Sequence, residues 1–277
     1  MANLSDLSVG LRWRVCLVTL TEGSLDDKRL YRAPALEKGL DILELLAAEE
    51  HPLTMSGIVN RLGRSTGELF RMIQVLEHRG YVSQGPDGYV MTSRLFHLGL
   101  KRPPVRSLME QSLPEMRLLA DTIGQSCYLS VPSGAASSVI ARMEACTAVG
   151  FSVRVGYRRP LYDTPSGVLL YAMQPEQTRR EWEALFDPPL SEEARARLVA
   201  QADAVREQGF VRVDSPDLVG MVELAAPIMR GDQAMAVLAV PFIRITDAPV
   251  DEAAALHHLR ATADRITNQL IGNDARI

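Results

Sequence analysis

The chain has 277 residues, of which 47% are hydrophobic and 23% charged; these fractions exclude a disordered, collagenous or low-complexity protein. At roughly 100–200 residues per domain, the length makes one large domain or two smaller ones. The formal net charge of −4 argues, as an average, against a nucleic-acid binder of the strongly basic kind.

Residues 1–32 hold no sustained hydrophobic period and read as a largely disordered extension, or as an artefact of start-codon choice. Their apolar stretch Val15–Leu20 is short and no small-residue cleavage site follows an adequate apolar core, which argues against a secretory signal; no run of about 18 apolar residues occurs in the chain, which argues against a transmembrane helix. The first convincing helix follows Pro34, with Leu36, Leu40, Leu43 and Ala47 on one face and Ile42 and Leu46 beside it. It ends at His51-Pro52, because the residue before a proline avoids the helical region. Thr54 caps a second helix, Met55–Leu62, and Gly63-Arg64 makes a tight break. Ser65-Thr66-Gly67-Glu68 has the S-x-x-E form of a capping box. It opens a third helix, to about Arg79, with Leu69, Met72, Ile73 and Leu76 as its apolar stripe.

Two short alternating segments come next, Tyr81–Ser83 and Tyr89–Thr92, around the turn Gly85-Pro86-Asp87-Gly88. Three helices followed by a small hairpin make a winged helix-turn-helix, placed at residues 33–93. Arg94–Leu100 reads as a further helix, interrupted at Pro103-Pro104, and Arg106–Thr122 as an amphipathic one. Residues 94–122 are therefore expected to be a helical linker.

Beyond Gly124 strands alternate with helices. Strands are expected at Ser126–Val131, Ser138–Glu144, Phe151–Val155, Met221–Met229 and Ala234–Ile243. Helices are expected at Ser166–Met173, Glu176–Leu185, Glu192–Gln208 and Asp251–Leu270. Residues 123–277 thus form an α+β domain with a mostly antiparallel sheet, in a two-domain α/β chain.

The charge is unevenly spread. Residues 61–106 carry eight basic and three acidic side chains, whereas residues 107–277 carry 16 basic and 22 acidic. The basic excess coincides with the segment that would meet DNA. In a helix-turn-helix the start of the second helix enters the major groove, which selects Arg64, Ser65, Thr66, Gly67, Glu68, Phe70 and Arg71. Arginine reads guanine and binds phosphate, and hydroxyls with helix N-terminal amides suit phosphates. Arg64 and Arg71 otherwise only solvate a surface helix. Glu68 either closes the capping box or accepts from a cytosine amino group.

Nothing points to catalysis, and no cofactor or metal is called for. No HExxH, GxSxG, Walker loop or GxGxxG occurs. The neighbours His257 and His258 project about 100° apart on a helix and make a poor metal pair. Cys16, Cys127 and Cys146 are three scattered thiols without disulfide or zinc spacing, as expected in a reducing cytoplasm.

Several segments together resemble the IclR family of bacterial transcriptional regulators. They are Ala35–Leu46, Phe70–Ile73 with Leu76, Arg79–Val82, Tyr89–Thr92, Gly124–Cys127, Gly150–Gly156, Asp163–Gly167 and Gly220–Ile228. The likeness covers about residues 33–272. It implies a winged helix binding a roughly palindromic operator, a GAF-like domain binding a small effector, and assembly as homodimers or homotetramers. The effector would be an organic acid or aromatic catabolite, and the regulated genes a catabolic operon. Many members carry Ser-Thr where this chain has Gly67-Glu68, so their base contacts do not transfer. Ser166, with its neighbour Gly167, and Glu223 match effector-binding positions. Ala239 and Pro241 stand where serines would hold a carboxylate, which favours a larger, more apolar or hydroxylated ligand. Glu223 would accept its hydroxyl or balance a cation, or else lie exposed at a strand edge. Arg142 and Arg154 either pair an acidic ligand or solvate the sheet. Two other readings stay open: a regulator whose C-terminal domain only oligomerises, and an enzyme or sensor carrying a helix-turn-helix.

Overall fold

The computed structural model describes residues 33–101, 103–147, 150–215, 218–245 and 248–274. The extension expected at residues 1–32 lies outside the described residues. The described chain falls into two compact units, one ending at Arg106 and the other beginning at Ser107.

The smaller unit runs α1 (Pro34–Ala48), α2 (Met55–Leu62), α3 (Thr66–His78), β1 (Val82–Gly85), β2 (Gly88–Met91) and α4 (Arg94–Leu100). Pro34 suits the start of α1 because its missing amide would have no helical partner there. Thr54 caps α2 by accepting from the Gly57 amide at 3.2 Å. Gly63 ends α2 at φ 62°, a left-handed conformation that costs glycine little. β1 and β2 pair antiparallel. Leu53 adds a single bridge to Tyr89, with amide-to-carbonyl bonds of 3.0 and 2.8 Å. The core is Ile42, Leu43, Leu46, Leu53, Ile58, Leu69, Ile73, Val82 and Tyr89. The stripe expected on α1 is thereby corrected. Leu36 and Leu40 are 63% and 48% exposed, because α1 turns its Ile42–Leu43–Leu46 face inward.

The larger unit is built on α5 (Pro103–Ile123), β3 (Cys127–Ser133), β4 (Ala136–Met143), β5 (Arg158–Pro160), α6 (Pro165–Ala172), α7 (Glu176–Glu183), α8 (Glu192–Gln208), β6 (Val211–Asp214), β7 (Met221–Arg230), β8 (Gln233–Ile243) and α9 (Glu252–Asp274). α4 ends at Leu100 and Pro103 and Pro104 open α5, whose first turn needs no amide donors, so the break expected at Pro103-Pro104 is present. The sheet order is β5-β4-β3-β8-β7-β6, with every pairing antiparallel. The expected strand at Phe151–Val155 is absent. β4 is edged by Arg158–Pro160 instead, continued by the Val139 amide on the Tyr157 carbonyl at 2.9 Å. The four-residue β6 was not anticipated; Arg212 and Asp214 break any apolar run there.

Alternation along the strands divides two cores. Cys127, Leu129, Val222, Leu224, Ala236, Leu238 and Val240 face one side, with α5 and α9 residues such as Met116, Leu119, Leu259 and Ile266. Tyr128, Val139, Ala225, Val237 and Ala239 face the other side, with Leu169, Leu170 and Leu198 of α6 and α8. Burial pushes the Cys127 thiol up to about 12, so it is an inert core group. Among the described residues no helix is long and apolar enough to cross a membrane.

Candidate functional site

Two groups of predicted residues are assembled, one in each unit. In the smaller unit, Leu69 and Ile73 pin α3 to the core, which turns Thr66, Gly67, Phe70 and Arg71 outward. Thr66 and Phe70 lie one turn apart on one line, and Gly67 and Arg71 on the next. A helical side chain leans toward the N-terminus, so Arg71 leans toward Gly67. There is open space at Gly67, with no atom within 4 Å of where a Cβ would stand. Arg71 is exposed and makes no ion pair among the described residues.

Arg64 and Glu68 are both held by α1. The Arg64 guanidinium donates to Asp41 Oδ2 at 3.0 Å. Lys38 Nζ donates to Glu68 Oε1 at 2.7 Å, and Glu68 Oε2 accepts from the Ser65 amide at 3.1 Å and its hydroxyl at 2.9 Å. The Lys38 bond first, and then the Ser65 donors, lower the Glu68 carboxyl to about 2. Glu68 is therefore a cap with a neutralising partner, and its oxygens are already engaged. A Glu68→Gln variant should free the Lys38 cation. Its affinity for mixed-sequence DNA should rise several-fold at low salt, with a salt slope steeper by about one. Fluorescence anisotropy across a salt series checks this; an unchanged slope would place Lys38 away from the phosphates.

In the larger unit, Thr164 caps α6 by accepting from the Gly167 amide at 3.1 Å. Ser166 is thereby set in the first turn and buried at 3% exposure. Gly167 is a point of close approach: a Cβ there would stand 2.4 Å from the Leu161 carbonyl oxygen. Register brings Glu223 of β7 opposite Pro241 of β8, and sets Ala239 between Tyr128 and Ala225. Tyr128 then joins the two predicted residues. Its hydroxyl donates to Glu223 Oε1 at 2.8 Å and lies 3.2 Å from Ser166 Oγ. Burial raises the Glu223 carboxyl, while Tyr128 and the hydroxyl and amide of Ser166 oppose that shift. Burial also raises the Tyr128 phenol well above its usual range. Tyr157 lies in the field of the same carboxylate.

Arg142 and Arg154 do not join this cluster. Arg142 is the register neighbour of Tyr128 but pairs with Glu144 at 3.0 Å, and Arg154 is exposed. Tyr128 was the residue the sequence reading missed. The signal for it is a phenol within an apolar strand, which needs a partner once buried. Among the described residues, cavities lie elsewhere. One of about 330 Å³ is lined by residues including Glu183, Phe186 and Arg195. Another, of about 500 Å³, is lined by residues including Phe210, Arg212 and Glu252. Neither is lined by Tyr128, Ser166 or Glu223.

Comparison with known proteins bears on both groups. The IclR helix-turn-helix domain pattern matches residues 35–86, and the pattern described as bacterial transcriptional regulator IclR C-terminal matches residues 104–268. The "Probable transcriptional regulator SauR" of Cupriavidus necator is 28% identical over 230 residues, covering 76% of this chain and 88% of that protein. The glycerol operon regulatory protein of Streptomyces coelicolor is 26% identical over 200 residues, covering 70% and 78%. The fold is that of an IclR homologue complexed with 4-hydroxybenzoate from Microbacterium hydrocarbonoxydans. There the TM-score is 0.69 at 20% identity, covering 86% of this chain and 99% of that one.

Proposed function

The chain belongs to the IclR family of bacterial transcriptional regulators, and from that premise we propose that it is an effector-responsive regulator of a catabolic operon, acting in the cytoplasm. The family and the named relatives are transcriptional regulators, not enzymes. Residues 33–93 bind operator DNA through the start of α3. Ser65, Thr66 and the helix N-terminus meet phosphates, and Phe70 and Arg71 enter the groove, with Arg64 and Glu68 steadied by α1. The observation that carries this is the outward face of α3, where Arg71 stands uncommitted beside the open space at Gly67.

Residues 123–277 bind a small effector, an organic acid or aromatic catabolite, at the Tyr128–Ser166–Glu223 cluster. A ligand that competes for Ser166 or Glu223 changes how α6 sits on the sheet, and the 94–122 helices carry that bias to the DNA-binding unit. Assembly as a homodimer or homotetramer is supported by apolar side chains left exposed within the smaller unit, among them Leu36, Leu40 and Phe96.

The test is binding to the DNA upstream of the chain's own coding region, with and without a panel of organic acids and aromatic compounds. Affinity should fall by about a thousandfold or more between roughly 50 and 200 mM salt. One panel member should shift it by about 5- to 150-fold. If no member moved either DNA affinity or the melting temperature, the C-terminal domain would only oligomerise.

A further inference from the structure

We propose that Asp41 and Glu49 of α1 are specificity-determining residues: they withhold Arg64 and Arg61 from DNA phosphates, so that sequence-independent binding stays weak and recognition falls on the outward face of α3. This deepens the reading of α3 as the DNA reader and rests on it.

Three ion pairs join α1 to the break between α2 and α3. Lys38, Asp41 and Glu49 fall within about 80° of helical arc, so they line one side of α1. From that side Lys38 meets Glu68 in the first turn of α3, at 2.7 Å, and Asp41 meets Arg64 in the break, at 3.0 Å. Glu49 meets Arg61 at the end of α2. The pairs that hold Arg61 and Arg64 are partly exposed on both sides, and exposed pairs of this kind contribute little to stability. Their main effect is on the field that meets DNA.

Residues 61–106 carry eight cations, and two of them, Arg61 and Arg64, are offset by carboxylates that lie earlier in the chain. A guanidinium beside a carboxylate presents a dipole in place of a net charge, and its pull on a phosphate falls off faster with distance. The β1–β2 hairpin adds no attraction of its own: residues 82–91 hold no lysine or arginine and one acid, Asp87. Arg71 is the one Lys or Arg of α3, and among the described residues it makes no ion pair. The cation left available thus stands on the face that reads bases.

Specificity is the ratio of operator affinity to random-sequence affinity. On random DNA the protein settles wherever its cations find phosphates, whereas base contacts hold the operator complex in one register. Two freed arginines would therefore strengthen the first kind of binding more than the second.

The test is a D41N/E49Q variant of the full chain. Fluorescence anisotropy is followed across a salt series, on a mixed-sequence duplex and on the DNA upstream of the chain's own coding region. Mixed-sequence affinity should rise about tenfold at roughly 50 mM salt, with a salt slope steeper by about 1–2. Preference for the upstream DNA should fall by several-fold. Adding R61Q and R64Q should return the slope to its wild-type value, a reversal that a merely structural role of the acids would not give. An unchanged slope in D41N/E49Q would overturn the proposal. So would a shallower one, which would make the acids positioning groups that aim the arginines at DNA. If the double variant is recovered unfolded, D41N and E49Q are measured singly: a slope steeper by about one in each supports the proposal, and no change in either overturns it.

The α3 reading is scored by the wild type. Wild-type binding to both DNAs that is indifferent to salt would sink that reading and the proposal together. Salt-dependent wild-type binding with an unchanged D41N/E49Q slope would sink the proposal alone.

Discussion

Alanine at Gly167 is expected to destabilise the larger unit by about 2–3 kcal/mol, lowering its melting temperature by roughly 5–10 °C. The added Cβ would stand 2.4 Å from the Leu161 carbonyl oxygen, 2.8 Å from Thr164 Oγ1 and 2.9 Å from Leu161 Cα. Two of those three atoms are backbone, so no rotamer change removes the clash. Every residue from Ser166 to Ala172 is buried, so α6 has no open side toward which to shift. The substitution therefore forces out either the Thr164 cap or the 3₁₀ turn at Leu161–Asp163 that precedes it. Gly39→Ala is the control. It lies in α1 with nothing within 4 Å of the new methyl group, and should stabilise by about 0.5–1 kcal/mol. Circular-dichroism melts of both variants check the pair. Equal melting of G167A and the wild type would mean that the approach to Leu161 is not tight in solution.

Arg71→Ala should weaken operator binding by about 10- to 100-fold, the range for losing one good base contact, and leave the melting curve unchanged. Stability should be spared because Arg71 is exposed and bonds no other described residue. Binding should suffer because its neighbours on the α3 face cannot replace it. Gly67 has no side chain, Arg64 is drawn onto Asp41, and Glu68 is tied up by Lys38 and Ser65. Footprinting separates the outcomes: an unchanged footprint in R71A would remove α3 from the role of reader.

Much of the N-terminal unit was legible from sequence because its signals are local. A cap at Thr54, a left-handed glycine at Gly63 and an S-x-x-E box at Ser65 each fix an element within four residues. The error on α1 has a physical source. Hydrophobic periodicity marks Leu36 and Leu40 as apolar, but it cannot say what covers them. Phe151–Val155 alternates like a strand, yet a strand also needs an edge to pair with. Arg158–Pro160 takes that edge, and Gly156 turns the chain at φ 85° on the way to it.

The Tyr128–Ser166–Glu223 cluster was half legible. Ser166 and Glu223 were named from resemblance, but Tyr128 was not. Its role depends on cross-strand register between segments about 100 residues apart, which local pattern does not carry. Arg142 shows the converse. Its charge suggested a ligand, and only the structure reveals Glu144 already in place.

The central claim is that this chain reads DNA with α3. Selection of bound fragments from genomic DNA, run in parallel with wild type and R71A, tests it most directly. The account predicts that the wild type recovers a discrete, roughly palindromic site whose enrichment collapses in R71A. Enrichment of no discrete site, or equal recovery by both proteins, would contradict it.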